Sequence, residues 1–323
     1  MTEVSNFNRR CHNHDYRSRC IYMITMLKAN GVPRFSTITH DKRCKKISPI
    51  VKLSDVGTLI QNNLAKLVTD YSEIKVLARI IMPDHIHFEL FVQQPLPLHL
   101  GSILAGFKSN CSVAFHRMTG TDTNAPVQSL FTPGFNDKIA FRAGAKEAFY
   151  NYISDNPRRY LIKKHYPEYF YHKLTINIEE RCCGLYGNMF LLDHPLKAAV
   201  KISRRKERTP ELAKKISLWE EVLRSQGVLV SPFINPEEKK YYERAISSDT
   251  GIILIVNYTL SDRSKPYKKL FDLCAEGKLL IISTEQYLLE QRITYSEAQY
   301  LNRIAAIIAQ LAPQQARLRL RTR

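Results

Sequence analysis

Two histidines flank a single apolar residue in the segment Met82-Pro83-Asp84-His85-Ile86-His87-Phe88-Glu89-Leu90, which is predicted to be a β-strand entered from a turn. Successive side chains of a strand point to opposite faces, so His85 and His87 share one face while Ile86 points into the core. Two imidazoles roughly 7 Å apart along the backbone can bind one divalent metal ion. A half-buried strand whose histidines only pack is the alternative, and this segment alone does not decide between the two.

Hydrophobic periodicity places this strand within a recognisable order of elements. Strand, helix, strand, strand, helix and strand are predicted at 21–27, 54–68, 74–81, 85–92, 98–117 and 138–141. This order is that of a ferredoxin-like split sheet of the α+β class. A third helix over 146–156 follows the last strand, where it is free to cross the sheet near the histidines. Pro157 is expected to end it, because the residue before a proline is pushed out of the helical region.

The second half of the chain has a different pattern. From about residue 175, continuous apolar strands alternate with helices, which predicts a parallel sheet covered on both faces and hence an α/β Rossmann-like domain. Its strands are predicted over 185–192, 227–231, 251–257 and 278–283, and its helices over 209–226, 236–246, 266–276 and 294–311. No Gly-x-Gly-x-x-Gly motif is present, so a dinucleotide is poorly supported. The loop after Ser231 is the expected place for any ligand, and a scaffold or dimerisation role is the alternative.

These patterns divide the chain into four segments. They are a basic N-terminal arm (1–20), the split-sheet domain (21–172), the Rossmann-like domain (173–311) and a basic tail (312–323).

The charge balance points to a polyanionic partner. The chain has 48 Lys and Arg against 30 Asp and Glu, a formal net charge of +18. Nucleic acid is the usual partner for such an excess, with a solvated basic surface or an anionic membrane surface as alternatives. No run of eighteen apolar residues is present, so no membrane span is expected. The seven cysteines, an odd number without a regular framework, predict reduced thiols and a cytoplasmic protein.

Basic and aromatic residues interleave just after the third helix, as do the residues that contact phosphates and stacked bases in single-stranded nucleic acid. Tyrosines that pack between the domains are the alternative. On the second helix, Lys108 lies outside the apolar side and is expected to contact solvent or a ligand. The predicted DNA-binding residues are Lys108, Arg158, Arg159, Tyr160, Lys163 and Lys164.

The motifs of the first 165 residues resemble a known family. Pro83-Asp84-His85-Ile86-His87 is followed, sixty-five residues after the second histidine, by Tyr152-Ile153-Ser154-Asp155-Asn156-Pro157. This combination is similar to the REP-associated tyrosine transposases, which belong to the HUH single-tyrosine endonucleases. The second half is loosely similar to Rossmann-like domains of the DNA-processing-protein and lysine-decarboxylase-like group, through Val230-Ser231-Pro232-Phe233 and Pro236-Glu237-Glu238-Lys239.

The resemblance implies a role for each matching residue. His85 and His87 would hold Mg²⁺ or Mn²⁺, Asn156 would complete the metal shell, and Tyr152 would be the nucleophile. The reaction implied is DNA strand cleavage and transfer through a 5′-phosphotyrosine, on single-stranded, hairpin or palindromic DNA. Tyr150 is the rival nucleophile, and because it lies about 200° around the helix from Tyr152, both cannot face the metal.

Two classes of function stay open from the sequence. One is the metal-dependent transposase or nickase; the other is a domesticated protein that binds hairpin DNA without cutting it. A homodimer is compatible with either class.

Overall fold

The structure is a computed structural model that describes residues 11–40, 48–120, 126–178, 181–202, 209–260, 266, 269–284 and 293–311. It divides into two compact units, Met1–Leu161 and Ile162–Arg323. The predicted basic tail lies outside the described residues. No described helix is long and apolar enough to cross a membrane.

The first unit follows the predicted order of strands and helices, with one β-hairpin added between the first strand and the first helix. Its elements are β1 (Cys20–Leu27), β2 (Ser36–His40), β3 (Pro49–Leu53), α1 (Asp55–Asp70), β4 (Ile74–Ile81), β5 (His85–Val92), α2 (Leu100–Met118), β6 (Asn136–Ile139) and α3 (Ala145–His165). β2 and β3 pair only with each other in a separate two-stranded sheet.

The histidine strand is central in the main sheet of this unit. The four strands are ordered β4-β5-β1-β6, and every neighbouring pair is antiparallel. His87 therefore has a partner on each side, Thr25 on β1 and Ile80 on β4. A central strand holds its side chains in fixed positions, because both edges of its backbone are hydrogen-bonded.

The two faces of this sheet differ in chemistry. Ile86, Phe88, Leu90 and Val92 point to one face and form the core with apolar residues of α1 and α2. His85, His87 and Glu89 alternate with them and point to the other face. Helix α3 lies on this second face. The alternation predicted from the sequence thus separates a packed core from a face that carries ionisable groups.

Helix α3 is longer than predicted, because Pro157 lies inside it instead of ending it. A proline in a helix interior lacks the N–H that would bond to the carbonyl of Ile153, which costs about 3 kcal/mol. Ile153, Pro157 and Leu161 are buried at a spacing of four residues and form one apolar stripe. Burial of this stripe offsets the lost hydrogen bond, since each large apolar side chain contributes about 1.5–3 kcal/mol.

The described part of the predicted N-terminal arm, residues 11–19, is attached to the sheet. Tyr16 is buried in the core of the first unit, and its hydroxyl donates a hydrogen bond to Asp137 on β6 at 2.8 Å. His14 lies 2.7 Å from the hydroxyl of Tyr22 on β1. This part of the segment therefore belongs to the folded unit.

The second unit is an α/β structure whose sheet is mixed. Its elements are β7 (Tyr171–Ile178), β8 (Arg181–Gly187), β9 (Lys197–Ala199), α4 (Pro210–Arg224), β10 (Val228–Ser231), α5 (Pro236–Ser247), β11 (Gly251–Val256), α6 (Lys269–Ala275), β12 (Leu279–Ser283) and α7 (Tyr295–Gln310). The order is β7-β8-β12-β11-β10-β9. β9 to β12 are parallel, but β8 is antiparallel to β12 and β7 is antiparallel to β8. The prediction of an all-parallel sheet was therefore wrong.

A second error concerns the strand predicted over 185–192. β8 already ends at Gly187, and a short 3-10 helix follows over Met189–Asp193. Gly187 has φ +117°, and a Cβ atom there would lie 2.3 Å from the carbonyl oxygen of Leu279. Only glycine fits this turn, so the apolar run that continues through Leu192 leaves the sheet.

The parallel strands are buried on both faces, as their unbroken apolar sequences predicted. On β11, Ile253 and Ile255 pack with α7, whereas Ile252 and Val256 pack with α4 and α6. Each strand thus contributes side chains to two hydrophobic cores, one on each face of the sheet. This explains why polar and apolar residues do not alternate along its sequence.

Candidate active site

The two histidines of β5 are fixed by contacts at the same ring nitrogen. Nδ1 of His85 lies 2.6 Å from Oδ1 of Asp84, and Nδ1 of His87 lies 2.8 Å from Oγ1 of Thr25. The centroids of the two rings are 4.5 Å apart. Partners at Nδ1 set the ring orientation and favour Nε2 as the nitrogen that binds a metal.

The turn before β5 is held by the backbone. The N–H of Lys28 donates to the carbonyl of Asp84, and the N–H of Phe35 donates to the carbonyl of Pro83, at 2.9 Å and 3.1 Å. Pro83 itself offers no N–H, so only its carbonyl can be used in this way. Asp84 is thereby placed beside the first histidine, one residue ahead of the strand.

Tyr152 lies next to this pair. Its ring centroid is 5.4 Å from that of His87, in an edge-to-face arrangement. The guanidinium carbon of Arg159 lies 6.0 Å from the Tyr152 ring centroid. Tyr150 is 53% exposed and lines a cavity beside Glu89. Of the two candidate tyrosines, Tyr152 is therefore the one that contacts a histidine of the pair.

The donor set fits a divalent ion with a ligand besides histidine. Among the described residues, no three His, Cys, Asp or Glu side chains lie close enough together to hold a metal. The two oriented imidazoles would thus need an amide, a water molecule or a phosphate oxygen to complete the shell. Asn156, partly buried and one turn after Tyr152 on α3, is the amide that the sequence predicted. Nitrogen ligands mixed with oxygen suit Mn²⁺ better than Mg²⁺.

Two arginines of α3 share one carboxylate. Arg158 donates to both oxygens of Asp155, at 2.5 and 3.1 Å, and Nε of Arg159 donates to Oδ2 at 2.7 Å. Desolvation raises the pKa of Asp155, but the hydrogen bonds and charges of the two arginines outweigh it, so the pKa lies below its ordinary value. The cluster carries a net positive charge beside Tyr152.

The other predicted DNA-binding residues are dispersed. The Lys108 ammonium donates to the carbonyls of Thr132 and Gly134, and burial lowers its pKa. Tyr160 packs with the buried side chains of Ile38, Met82 and Leu161. These contacts engage both residues within the fold, so they do not support the predicted DNA contacts.

The remaining two predicted residues lie in the last turn of α3, which comes after Leu161 and so belongs to the second unit. Lys163 lies over the rings of Phe170 and Phe271, at 5.5 and 5.8 Å from their centroids. Lys164 is exposed at the surface. Of this pair, Lys164 is the one whose position leaves it open to a phosphate.

Glu89 is a residue of this face that the sequence reasoning missed. It is fully buried, and desolvation raises the pKa of its carboxyl, with Lys146 lowering it and Glu147 adding to the rise. The alternation His85-x-His87-x-Glu89 was the available signal, because it puts a third ionisable group on the same face.

In the second unit, a carboxylate of the protein itself binds the N–H groups of the loop after Ser231. The carboxylate of Glu238, which is buried, accepts hydrogen bonds from the N–H groups of Ile202, Ile234 and Asn235. Asn235 caps α5 by accepting from the N–H of Glu238 at 2.9 Å. In dinucleotide-binding folds a phosphate takes the N–H groups at this position. Here the carboxylate of Glu238 accepts from these N–H groups, so they are not available to bind a phosphate.

Among the comparisons with known proteins, the similarity to one solved structure is described here because of its printed description, and it is weak. No family model matches the chain, and no curated protein matches it. A solved structure of a REP-associated tyrosine transposase bound to a REP hairpin is similar at 14% sequence identity and a TM-score of 0.33, over 47% of this chain and 74% of that chain. A TM-score of this size does not establish a shared fold, so the candidate site is supported by its own geometry.

Proposed function

We propose that the first unit is a ferredoxin-like HUH endonuclease domain and that the protein is a transposase or nickase that cleaves and transfers single-stranded or hairpin DNA. The observation that carries this proposal is the contact between the rings of Tyr152 and His87, 5.4 Å apart at their centroids. A hydroxyl nucleophile beside an oriented pair of imidazoles is the arrangement that metal-assisted phosphoryl transfer needs.

The chemistry assigned to Tyr152 is a transesterification. Its hydroxyl loses a proton and its oxygen bonds to phosphorus, while the bond from phosphorus to the 3′ oxygen breaks and that oxygen takes a proton. The products are a 5′-phosphotyrosine and a free 3′-hydroxyl. Because the phosphodiester energy is retained in the covalent intermediate, a second 3′-hydroxyl can reverse the step and join a new strand without ATP.

Neighbouring residues support this step. A divalent ion held by His85 and His87, with Asn156 as a further ligand, would polarise the scissile phosphate and offset the charge on its oxygens. Asp84 and Thr25 orient the two imidazoles. Arg159, restrained by Asp155, holds its guanidinium carbon 6.0 Å from the centroid of the Tyr152 ring. A positive charge there would offset the negative charge that develops during the reaction.

The test is formation of a covalent adduct. The protein is incubated with a single-stranded hairpin oligonucleotide and Mn²⁺ and then run on a denaturing gel. Tyr152→Phe is expected to abolish the slow-migrating adduct, and Tyr150→Phe, the matched control on the same helix, is expected to retain it. An adduct that persists in Tyr152→Phe overturns the assignment. Tight hairpin binding without any adduct in the unmodified protein would support the non-cleaving alternative instead.

A further inference from the structure

The sheet face that carries the histidine pair, here called the histidine face, is only partly covered by helix α3. Leu161 of α3 packs with Ile80 of β4, and other residues of the helix line a cavity together with β4 and β5. On the side of β1 and β6 the side chains reach solvent: Leu27 is 47% exposed, and Asn136 and Lys138 are exposed as well. These three residues form what we call the open half of the histidine face.

The register of the sheet puts the open half beside the candidate active site. Leu27 on β1 is the direct partner of His85. Asn136 on β6 pairs with Thr25, which in turn pairs with His87, so Asn136 lies two strands, roughly 10 Å, from His87. Directly paired residues of antiparallel strands point to the same face. The open half therefore lies within reach of a nucleotide whose phosphate is bound at the two histidines.

The two sides of the candidate active site are not equivalent. The ring of His87 is held toward β1, because its Nδ1 lies 2.8 Å from Oγ1 of Thr25. Tyr152 approaches from α3, and its ring centroid is 5.4 Å from that of His87. A strand whose phosphate is held between these two rings is excluded from the volume that α3 fills. A nucleotide next to that phosphate therefore lies over the open half.

The side chains of the open half match an unpaired nucleotide. Lys138 supplies a positive charge for a phosphate, and the amide of Asn136 can both donate to and accept from the edge of a base. Leu27 offers an apolar surface to the face of a base. Asp137, the acidic residue of β6, points to the opposite face, where it accepts a hydrogen bond from Tyr16. Its carboxylate therefore does not oppose a phosphate on the histidine face.

We propose that the unpaired nucleotide next to the reacting phosphate binds to the open half of the histidine face. Lys138 contacts the second phosphate of this nucleotide, Asn136 contacts the edge of its base, and Leu27 packs against the face of its base. A paired base fits poorly, because its edge is occupied by its partner and its faces by the neighbouring pairs. This inference rests on the proposed DNA-cleaving function, and it assigns the three residues to binding of the substrate strand.

The test of the phosphate contact measures binding and needs no cleavage. The Tyr152→Phe protein is titrated with oligothymidine by fluorescence anisotropy over a range of salt concentrations. Lys138→Gln, introduced into this protein, is expected to reduce the slope of log affinity against log salt by about 0.7, the value for one phosphate contact on a single strand. Lys66→Gln, the matched control, removes an exposed lysine from α1 on the opposite face and is expected to leave the slope unchanged.

A second pair of variants tests the contact with the base. Leu27→Ala is expected to weaken the binding of oligothymidine about fourfold, the effect of uncovering roughly one CH₂ group. The same variant should bind an abasic strand of equal length as tightly as the parent does, because that strand has no base to contact. Asn136→Ala is expected to show the same selectivity. Circular dichroism and the unfolding temperature verify that each variant is folded.

Three results would overturn the inference. They are an unchanged salt slope in Lys138→Gln, an equal loss for both strands in Leu27→Ala, and loss of a dimer in sedimentation with DNA binding unchanged, which would show that this face binds a second copy of the chain. A reduced slope and a base-dependent loss, without any covalent adduct in the protein that retains Tyr152, would contradict the proposed cleavage alone. An adduct in that protein, together with an unchanged slope in Lys138→Gln, would contradict the binding of the nucleotide to the open half alone.

Discussion

The hydroxyl of Thr25 lies 2.8 Å from Nδ1 of His87, across the register pair that joins β1 to β5. Thr25 thus reaches the candidate metal site from a neighbouring strand, although it is sixty-two residues away in the chain. If His87 binds a metal through Nε2, its Nδ1 carries the proton and donates to this hydroxyl.

Replacing Thr25 with valine is expected to weaken metal binding by about 10–100-fold, the usual effect of removing such a supporting hydrogen bond. Valine keeps the branched shape and the strand preference of threonine, so the fold should be retained. Isothermal titration with Mn²⁺ measures the loss, and Thr25→Ser, which keeps the hydroxyl, should restore most of the affinity. Equal affinity in Thr25→Val and the parent would show that this contact is not part of a metal site.

Alanine at His85 or His87 is expected to abolish cleavage while DNA affinity stays within about threefold, because contacts from Lys and Arg to phosphates dominate affinity. The two properties are measured separately, by the adduct assay and by anisotropy at one salt concentration. His12→Ala, which removes an exposed histidine of the N-terminal segment, is the control. Cleavage that survives in EDTA or in the double alanine variant would exclude a metal-dependent mechanism.

The ion pairs of Asp155 should make the free energy of unfolding depend on pH in the acid range. Its pKa is lowered in the folded protein from the ordinary value of 3.8, so its contribution to stability is present above that value and is lost as the pH falls through the folded pKa. Asp155→Asn is therefore expected to lower the free energy of unfolding at pH 7 by about 1 kcal/mol, given that the pairs are partly exposed. The difference between the two proteins should shrink below pH 4, as followed by urea unfolding across the range. A constant difference at every pH would indicate that the charge of Asp155 is not involved.

A hairpin with single-stranded flanks is expected to bind more tightly than a perfect duplex of the same sequence. Tyr152 approaches the sheet from a helix, and an unpaired strand presents a single phosphate to that position more freely than a duplex. The observable is the ratio of dissociation constants at matched salt, together with the adduct yield. Equal or tighter binding of the duplex, with equal cleavage, would identify a conventional duplex-binding protein. The affinity for both forms should fall steeply with salt, since the net charge is +18.

Local sequence patterns predicted most elements but not their ends or their pairing partners. The run Gly251–Val256 is a buried strand because β-branched residues follow a glycine, and this information is contained in the segment itself. The three residues of β9, by contrast, are a strand only because they pair with β10. The continuation of α3 beyond Pro157 likewise depends on the burial of Leu161 against Ile38 and Met82, residues that are distant in sequence.

The candidate site also combines features that the local sequence predicts with features that depend on residues distant in the chain. The alternation of side chains along a strand places His85 and His87 on one face. The contact of Tyr152 with His87, by contrast, depends on the position of α3 over that face, which the local sequence does not specify. Glu89 alternates with the histidines in the same way, but it is completely buried in a place that the sequence near it does not specify. It lines a cavity together with residues of α3 and with Leu77, the extra residue of a β-bulge in β4, where Val76 pairs with Leu90 and Ala78 pairs with Glu89. No local pattern encodes either of these long-range features.

The bulge in β4 also bears on association between copies of the chain. β4 is an outer strand of its sheet, and a long, regular outer strand is a template on which another strand can pair. The extra residue at Leu77 interrupts the regular spacing of backbone donors and acceptors, and Lys75 and Arg79, both exposed, add charge to either side of it. A strand from a second molecule would have to match this break while approaching two like charges. The irregularity beside Glu89 therefore also protects this edge from strand addition and aggregation, and a homodimer, if one forms, would have to use a different surface.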